Sequence, residues 1–376
     1  MDERINVGKR STNFELLRCI AMIMILFQHL GDAMTAKSDI FVWAPNELYL
    51  NLMRIFGTIG VNCFVLISGY FLIKKQFSTK KIFYLYSKVF LYGIVTVCML
   101  GCIGYTNNSG MQWIRDLFPI LTMKYWYVSM HLGLLLLSPF LNTMLMKLPQ
   151  EDYFRMLLVI GVLFTILSMI TLEEIWVSRF AWFIYLYSVA AYIRIYLAEI
   201  TISSHKCFLT FTILIFGLWC SVQSLKFLGQ YFAVARDHIY YFTANWYLPV
   251  FVASLCLFLG CKQIKIQSML INSWGKATFG IYILHSTVSP FEKLFRGSRY
   301  LETAVFFPFS IVAVALVFIV CWGIDLLISR VEKKFLYPLY DITATKIDVI
   351  LLKTESVLCS AIDKIIVKGK IGRAHV

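Results

Sequence analysis

The chain has 376 residues, of which 59% are hydrophobic, 16% aromatic and only 15% charged. A water-soluble domain is about one-quarter charged, so this composition, with a mean hydropathy of +0.73, excludes one and implies a polytopic membrane protein. The formal net charge of +14 is no nucleic-acid footprint, because the positive residues sit in short loops between apolar runs, where they orient membrane helices.

Arg4, Lys9 and Arg10 precede the first apolar run and are expected in the cytoplasm. The run itself, residues 14–34, is too long for a signal peptide and lacks a small-residue cleavage site, so it is expected to stay as an anchor. It carries Arg18 and His29, groups that a bilayer accepts reluctantly. The two are eleven residues apart. At about 100° per residue that is three turns plus about 20°, so both project from one face, about 16 Å apart along the axis. Glu15 lies three residues before Arg18 and Asp32 three after His29, within pairing reach. Two readings are open for this stripe: polar residues paired or snorkelling within a bundle, or a functional site.

Further apolar segments are expected at about 50–73, 82–104, 125–146, 154–172, 180–198, 207–225, 246–261, 269–289 and 303–328. With the first they make an all-α bundle of about ten transmembrane helices with both termini cytoplasmic. Lys74, Lys75, Lys80, Lys81 and Lys88 after the second span, and Arg330, Lys333 and Lys334 after the tenth, agree with that orientation. The loop with Lys293, Arg296 and Arg299 dissents. Outer segments are expected around Trp43, around Asn107–Gly110 with Trp113, and over 226–245 with Arg236, Asp237 and His238. Residues 1–340 read as one transmembrane domain and 341–370 as a cytoplasmic amphipathic tail. Residues 371–376 read like a translated sequencing adapter, a possible sequencing artefact, so His375 is assigned no role. The ten cysteines fall mostly inside apolar runs, with no Cys-x-x-Cys pair and no zinc spacing, so no metal site is expected.

The segment Phe14-Glu15-Leu16-Leu17-Arg18, with Ala21-Met22-Ile23-Met24 and His29, resembles the first helix of the acyltransferase-3 family. These are bacterial integral-membrane O-acyltransferases of surface polysaccharides, whose signature there is an arginine, ten residues and a histidine. Phe64 with Ser68-Gly69-Tyr70-Phe71 resembles the family's aromatic–Ser-Gly-aromatic motif, although close helix packing at Gly69 is the favoured reading. Trp126-Tyr127 is similar to its Trp-aromatic position, and Tyr282 with His285 to its late Tyr-x-x-His segment. The resemblance spans residues 10–340 and is thin between 150 and 265. Where the family often has an arginine motif after the second span, lysines stand here, and a bidentate role does not carry over to them.

The resemblance implies transfer of an acyl group, expected to be acetyl, from cytoplasmic acetyl-CoA or another acyl-CoA to a hydroxyl of an envelope polysaccharide or its lipid-linked precursor. That makes the chain an O-acetyltransferase of the bacterial cytoplasmic membrane, in contact with membrane lipids and not with nucleic acid. His29 is then the expected base, Asp32 the group that fixes its tautomer, and Arg18 the anchor for donor phosphates. Lys74, Lys75, Lys80 and Lys81 are a second candidate phosphate site, or simply the positive-inside signal. Glu15, Ser68, Tyr70, Trp126, Tyr127, His131, Tyr282 and His285 are expected to line the cavity or the substrate site. The competing reading is a transporter or flippase using the same charges as a pathway. It should show duplicated halves with broken helices, and no internal repeat is visible.

Overall fold

The computed structural model describes residues 11–35, 44–102, 115, 118–171, 177–288, 303–337, 341–343 and 345–347. Among these all regular structure is helical. The long helices are α1 (Thr12–Thr35), α2 (Pro45–Leu72), α3 (Thr79–Cys102), α4 (Trp126–Lys147), α5 (Gln150–Gly161), α6 (Arg179–Tyr196), α7 (Ser204–Leu228), α8 (Leu248–Lys262), α9 (Met269–Val288) and α10 (Phe306–Val331). Helix α5 runs on through a π-helical segment, Val162–Leu167, to Thr171, and α10 through another, Glu332–Leu336. The helix starts follow local chemistry. Pro45 and Pro249 sit in first turns, where no N–H is needed, and Ser178 accepts from the Ala181 N–H to cap α6.

Seven stretches are long and apolar enough to cross a membrane: Thr12–Met34, Pro45–Leu72, Trp126–Lys147, Gln150–Thr171, Ser204–Leu228, Ala233–Lys262 and Phe306–Leu336. Each of the expected segments contains a long helix among the described residues, but α3, α6 and α9 stand outside that set. The sequences of two of them say why: α9 holds Lys276 and His285, and α6 has Arg179 and Arg194 near its ends with tyrosines between. Helix α6 is nonetheless central, with nearly every side chain from Trp182 to Ile193 buried. A helix wrapped in protein does not need a lipid-compatible surface.

The ends of the helices meet in two layers. At one, Asn13 Nδ2 donates to the Lys262 carbonyl at 2.9 Å, joining the start of α1 to the end of α8. At the other, Asn46 Nδ2 donates to the Thr303 carbonyl at 2.8 Å, joining the starts of α2 and α10. Arg18 lies toward the first layer and His29 toward the second. On α1, Leu17, Ala21, Met22, Leu26 and Leu30 are fully buried, a helical stripe facing α2 and its neighbours. Glycines set the approach. A Cβ on Gly60 would lie 2.6 Å from the Ala21 carbonyl oxygen of α1, and one on Gly69 the same distance from the Tyr187 carbonyl oxygen of α6. Without a hydrophobic drive between helices in lipid, such close contacts carry the packing. Helices α4 and α5 are peripheral and present Phe140, Met146, Val159 and Ile170 outward.

Helix α7 extends to Leu228, beyond its expected end at 225, and the segment after it is folded down onto the bundle. It forms a helical turn, Ala233–Asp237, and a 3-10 turn, Tyr241–Thr243. The Tyr241 hydroxyl donates to the Met169 carbonyl at 2.6 Å and the Tyr240 hydroxyl to Asn51 Oδ1 at 2.7 Å. The segments around Arg4, Trp43, Asn107 and Trp113, the loop with Lys293, Arg296 and Arg299, and most of the 341–370 tail with residues 371–376 lie outside the described residues.

Candidate active site

His29 and His285 come from α1 and α9, 256 positions apart, and meet at 3.2 Å between His29 Nδ1 and His285 Nε2. The partners assign the protons. His285 Nδ1 lies 2.8 Å from the Ile281 carbonyl oxygen, which can only accept, so that nitrogen carries the hydrogen. In the neutral ring Nε2 is then the acceptor, and His29 Nδ1–H is its donor. The tautomer this leaves on His29 has its basic lone pair at Nε2. His285 is 1% exposed, and Ser286 Oγ at 3.4 Å is also within reach of its Nε2.

On the Arg18 side of this pair is a cavity of about 160 Å³ lined by Arg18, Ser68, Tyr127, His131, Tyr282 and Thr278, with Ile25, Val61, Phe64 and Phe279. Arg18 Nη1 donates to Glu15 Oε1 at 2.7 Å, the pairing expected from their spacing. That contact steadies a guanidinium whose fork has further N–H groups. The Tyr127 and His131 rings stack with centroids 5.8 Å apart. Tyr282 lies 5.6 Å from the Tyr127 ring and 5.8 Å from the His285 ring. An aromatic path therefore leads from the cavity to the histidine pair. His131 Nδ1 is buried with no hydrogen-bond partner among the described residues.

Three expectations are corrected by this geometry, and Trp126 is placed apart from the cavity. Asp32 is not bonded to His29, for its Oδ1 accepts from Arg54 Nε of α2 at 2.7 Å, and Arg54 in turn lies 3.8 Å over the Tyr240 ring. A permanent cation outcompetes an imidazole for a carboxylate, and the partner of His29 is His285 instead. Tyr70 does not line the cavity. It is two residues from Ser68 and so projects from nearly the opposite side of α2, packed among Phe14, Phe71 and Phe258 with its hydroxyl accepting from Arg194 at 3.0 Å. Trp126 borders a second pocket with Arg179 and Trp182. The lysines, finally, are not equivalent. Lys74, Lys75 and Lys81 are exposed, whereas Lys80 is bound to the Asp341 carboxylate, which Tyr84 also donates to. The Lys80 ammonium and then the Tyr84 hydroxyl hold the Asp341 carboxyl below the usual carboxylate range, and the same hydrogen bond raises Lys80.

Two groupings were not anticipated. Arg54 is a cation within an apolar segment, which is a signal in itself. Lys88, read only as a topology marker, has its Nζ 3.6 Å from Asp325, a buried carboxylate of α10 that also accepts from Tyr92 of α3.

A family model for an acyltransferase domain, that of the acyltransferase-3 family, matches residues 11–326. The chain belongs to this family, and is thereby a membrane acyltransferase. No curated protein and no solved structure matches it.

Proposed function

We propose that the chain transfers an acyl group, acetyl in the first instance, from acyl-CoA to a hydroxyl of an envelope polysaccharide or its lipid-linked precursor. The observation that carries this reading is the 3.2 Å hydrogen bond between His29 Nδ1 and His285 Nε2, whose proton assignment leaves Nε2 as the basic nitrogen of His29. His29 Nε2 takes the proton of the acceptor hydroxyl as the oxygen attacks the thioester carbonyl. The carbon–sulfur bond breaks, and the imidazolium returns the proton to the departing thiolate, so no net proton is consumed. Throughout, the Nδ1–H bond to His285 orients the ring and favours its charged form. Arg18 supports the donor, since a planar fork beside a cavity suits phosphate oxygens. The Tyr127 and Tyr282 hydroxyls are donors for the carbonyl oxygen as it gains charge.

The test is purified protein in lipid nanodiscs with radiolabelled acetyl-CoA and de-O-acylated envelope polysaccharide. Label should enter the glycan with the wild-type chain. His29→Gln, which keeps a hydrogen-bonding side chain, should lose about 10²–10⁴ in rate. A His29→Gln protein that turns over like wild type would rule out proton transfer by this residue.

A further inference from the structure

The second pocket, about 220 Å³, opens at the helix-end layer nearer His29, between the starts of α4, α6 and α8. Its walls are Trp126, Trp182, Trp246 and Phe183, with Arg179, Asn245 and Ala244 at its edges. This is a built structure. Asn62, fully buried on α2, donates to the Asn245 carbonyl at 2.8 Å and accepts from Trp182 Nε1 at 3.0 Å, so one amide holds two walls in place. Arg179 lies 5.4 Å over the Trp126 ring and has no carboxylate partner among the described residues. Trp246 is 9% exposed, and its indole N–H has no hydrogen-bond partner among the described residues.

A buried donor left unpaired is costly to the free protein. It is expected where a ligand supplies the missing acceptor. The other contents of the pocket narrow that ligand. Flat aromatic faces suit a ring whose surface is C–H, and a guanidinium and an indole N–H suit a rim rich in oxygen. A pyranose ring presents both. The pocket also adjoins the acyl-transfer cavity. Trp126 and Tyr127 are consecutive, and the Phe183 ring lies 6.2 Å from Trp126 and 5.7 Å from Tyr127, so a single aromatic layer separates the two spaces.

The geometry points to this pocket as a sugar subsite that holds a pyranose ring of the acceptor beside the one being acylated. It rests on the proposed glycan acceptor and adds where that glycan is gripped. Trp246→Phe is the informative variant, because it keeps the ring, deletes the unpaired N–H and leaves no new buried polar group. Trp126→Leu removes one stacking face, worth roughly a tenfold change in affinity.

The experiment measures initial rates in nanodiscs against de-O-acylated envelope polysaccharide and, separately, against acetyl-CoA, at matched protein concentration. Both variants should raise the KM for glycan, Trp126→Leu by about tenfold, with kcat and the KM for acetyl-CoA unchanged. A glycan KM equal to that of wild type in both variants would overturn the subsite while leaving the acyltransferase reading intact. Reduced membrane abundance with unchanged kinetics would mean that the tryptophans only anchor the protein at the lipid boundary, and would also overturn it. If the wild-type chain acylates no glycan, the proposed function fails first and the subsite with it.

Discussion

At the scale of single residues, the histidine pair makes a graded prediction. His29 is assigned the proton and His285 only the orientation of the ring. A neutral hydrogen bond of the kind joining them is worth about 0.5–1.5 kcal/mol net, so His285→Phe should lower kcat by about tenfold, far less than His29→Gln. Glycan acylation at matched membrane abundance checks this. Equal losses in the two variants would show that His285 takes part in the proton transfer. Asp32 should matter less still. With its carboxylate on Arg54, Asp32→Asn should leave kcat within about twofold, because rim charges contribute little. Arg18 and His29 were legible in the sequence because charged groups in an apolar helix stand out and their spacing puts them on one stripe. The His29–His285 contact was not, since nothing local couples residues so distant in the chain. Asp32 was misread because the rule for neighbours on one helix ignores a stronger competitor on the next.

At the scale of elements, α3 is tied to α10 by Lys88, Tyr92 and Asp325. Asp325 is 3% exposed, and a Cβ on Gly280 of α9 would collide with its carboxylate, so three helices close around one anion. Removing one member of such a pair leaves a buried charge uncompensated. Asp325→Leu should therefore destabilise by about 3 kcal/mol, and the double variant Lys88→Met/Asp325→Leu should recover a good part of that. Thermal unfolding in detergent, compared across the single and double variants, decides it, and a double variant no better than the single would mean that the ion pair is not what holds α3. Gly69→Ala tests the α2–α6 approach in the same assay. The added carbon meets backbone, which cannot step aside, so a loss of about 1–3 kcal/mol is expected. The exposed link between Lys80 and Asp341 should behave differently. The lowered Asp341 carboxyl contributes above the unfolded value of about 3.9 and is lost as pH falls through its folded value. The raised Lys80 contributes below about 10.4 and is lost as pH rises through its folded value. Between those limits hydrogen exchange at residues 341–343 should be flat with pH, and it should quicken on the acid side. Exchange at those amides that, after allowance for the intrinsic rate, changes between pH 5 and 9 would show that another group holds the segment.

At the scale of the whole molecule, ten helical segments were readable from apolar runs and basic loops. Two of them, α6 and α9, carry charges and tyrosines that composition alone does not assign to lipid. What settles their position is contact with other helices, which a linear sequence does not display. Their path still alternates between the two end layers, and this gives a direct test. Ser78, between α2 and α3, and Gln230, after α7, lie at opposite layers. Cysteines introduced at the two sites, in a background with the exposed Cys98 replaced by serine, should react with an impermeant thiol reagent from opposite sides of the membrane. Labelling of both from outside intact cells would overturn the alternating path.

Arg18 and His29 share one unbroken helix, and Gly60 presses that helix against α2. The separation between them is thus a fixed gauge, about 16 Å, that no hinge or domain closure can shorten. Two groups mounted on separate bodies can be brought together by motion of the protein. Here the span has to be covered by the ligand itself, which needs a long, flexible arm between the part held at Arg18 and the part that reacts at His29. Selection for donors is then partly a selection for reach. A truncated thioester, with the same acyl group on a short thiol, should meet His29 only as a weak, unanchored substrate.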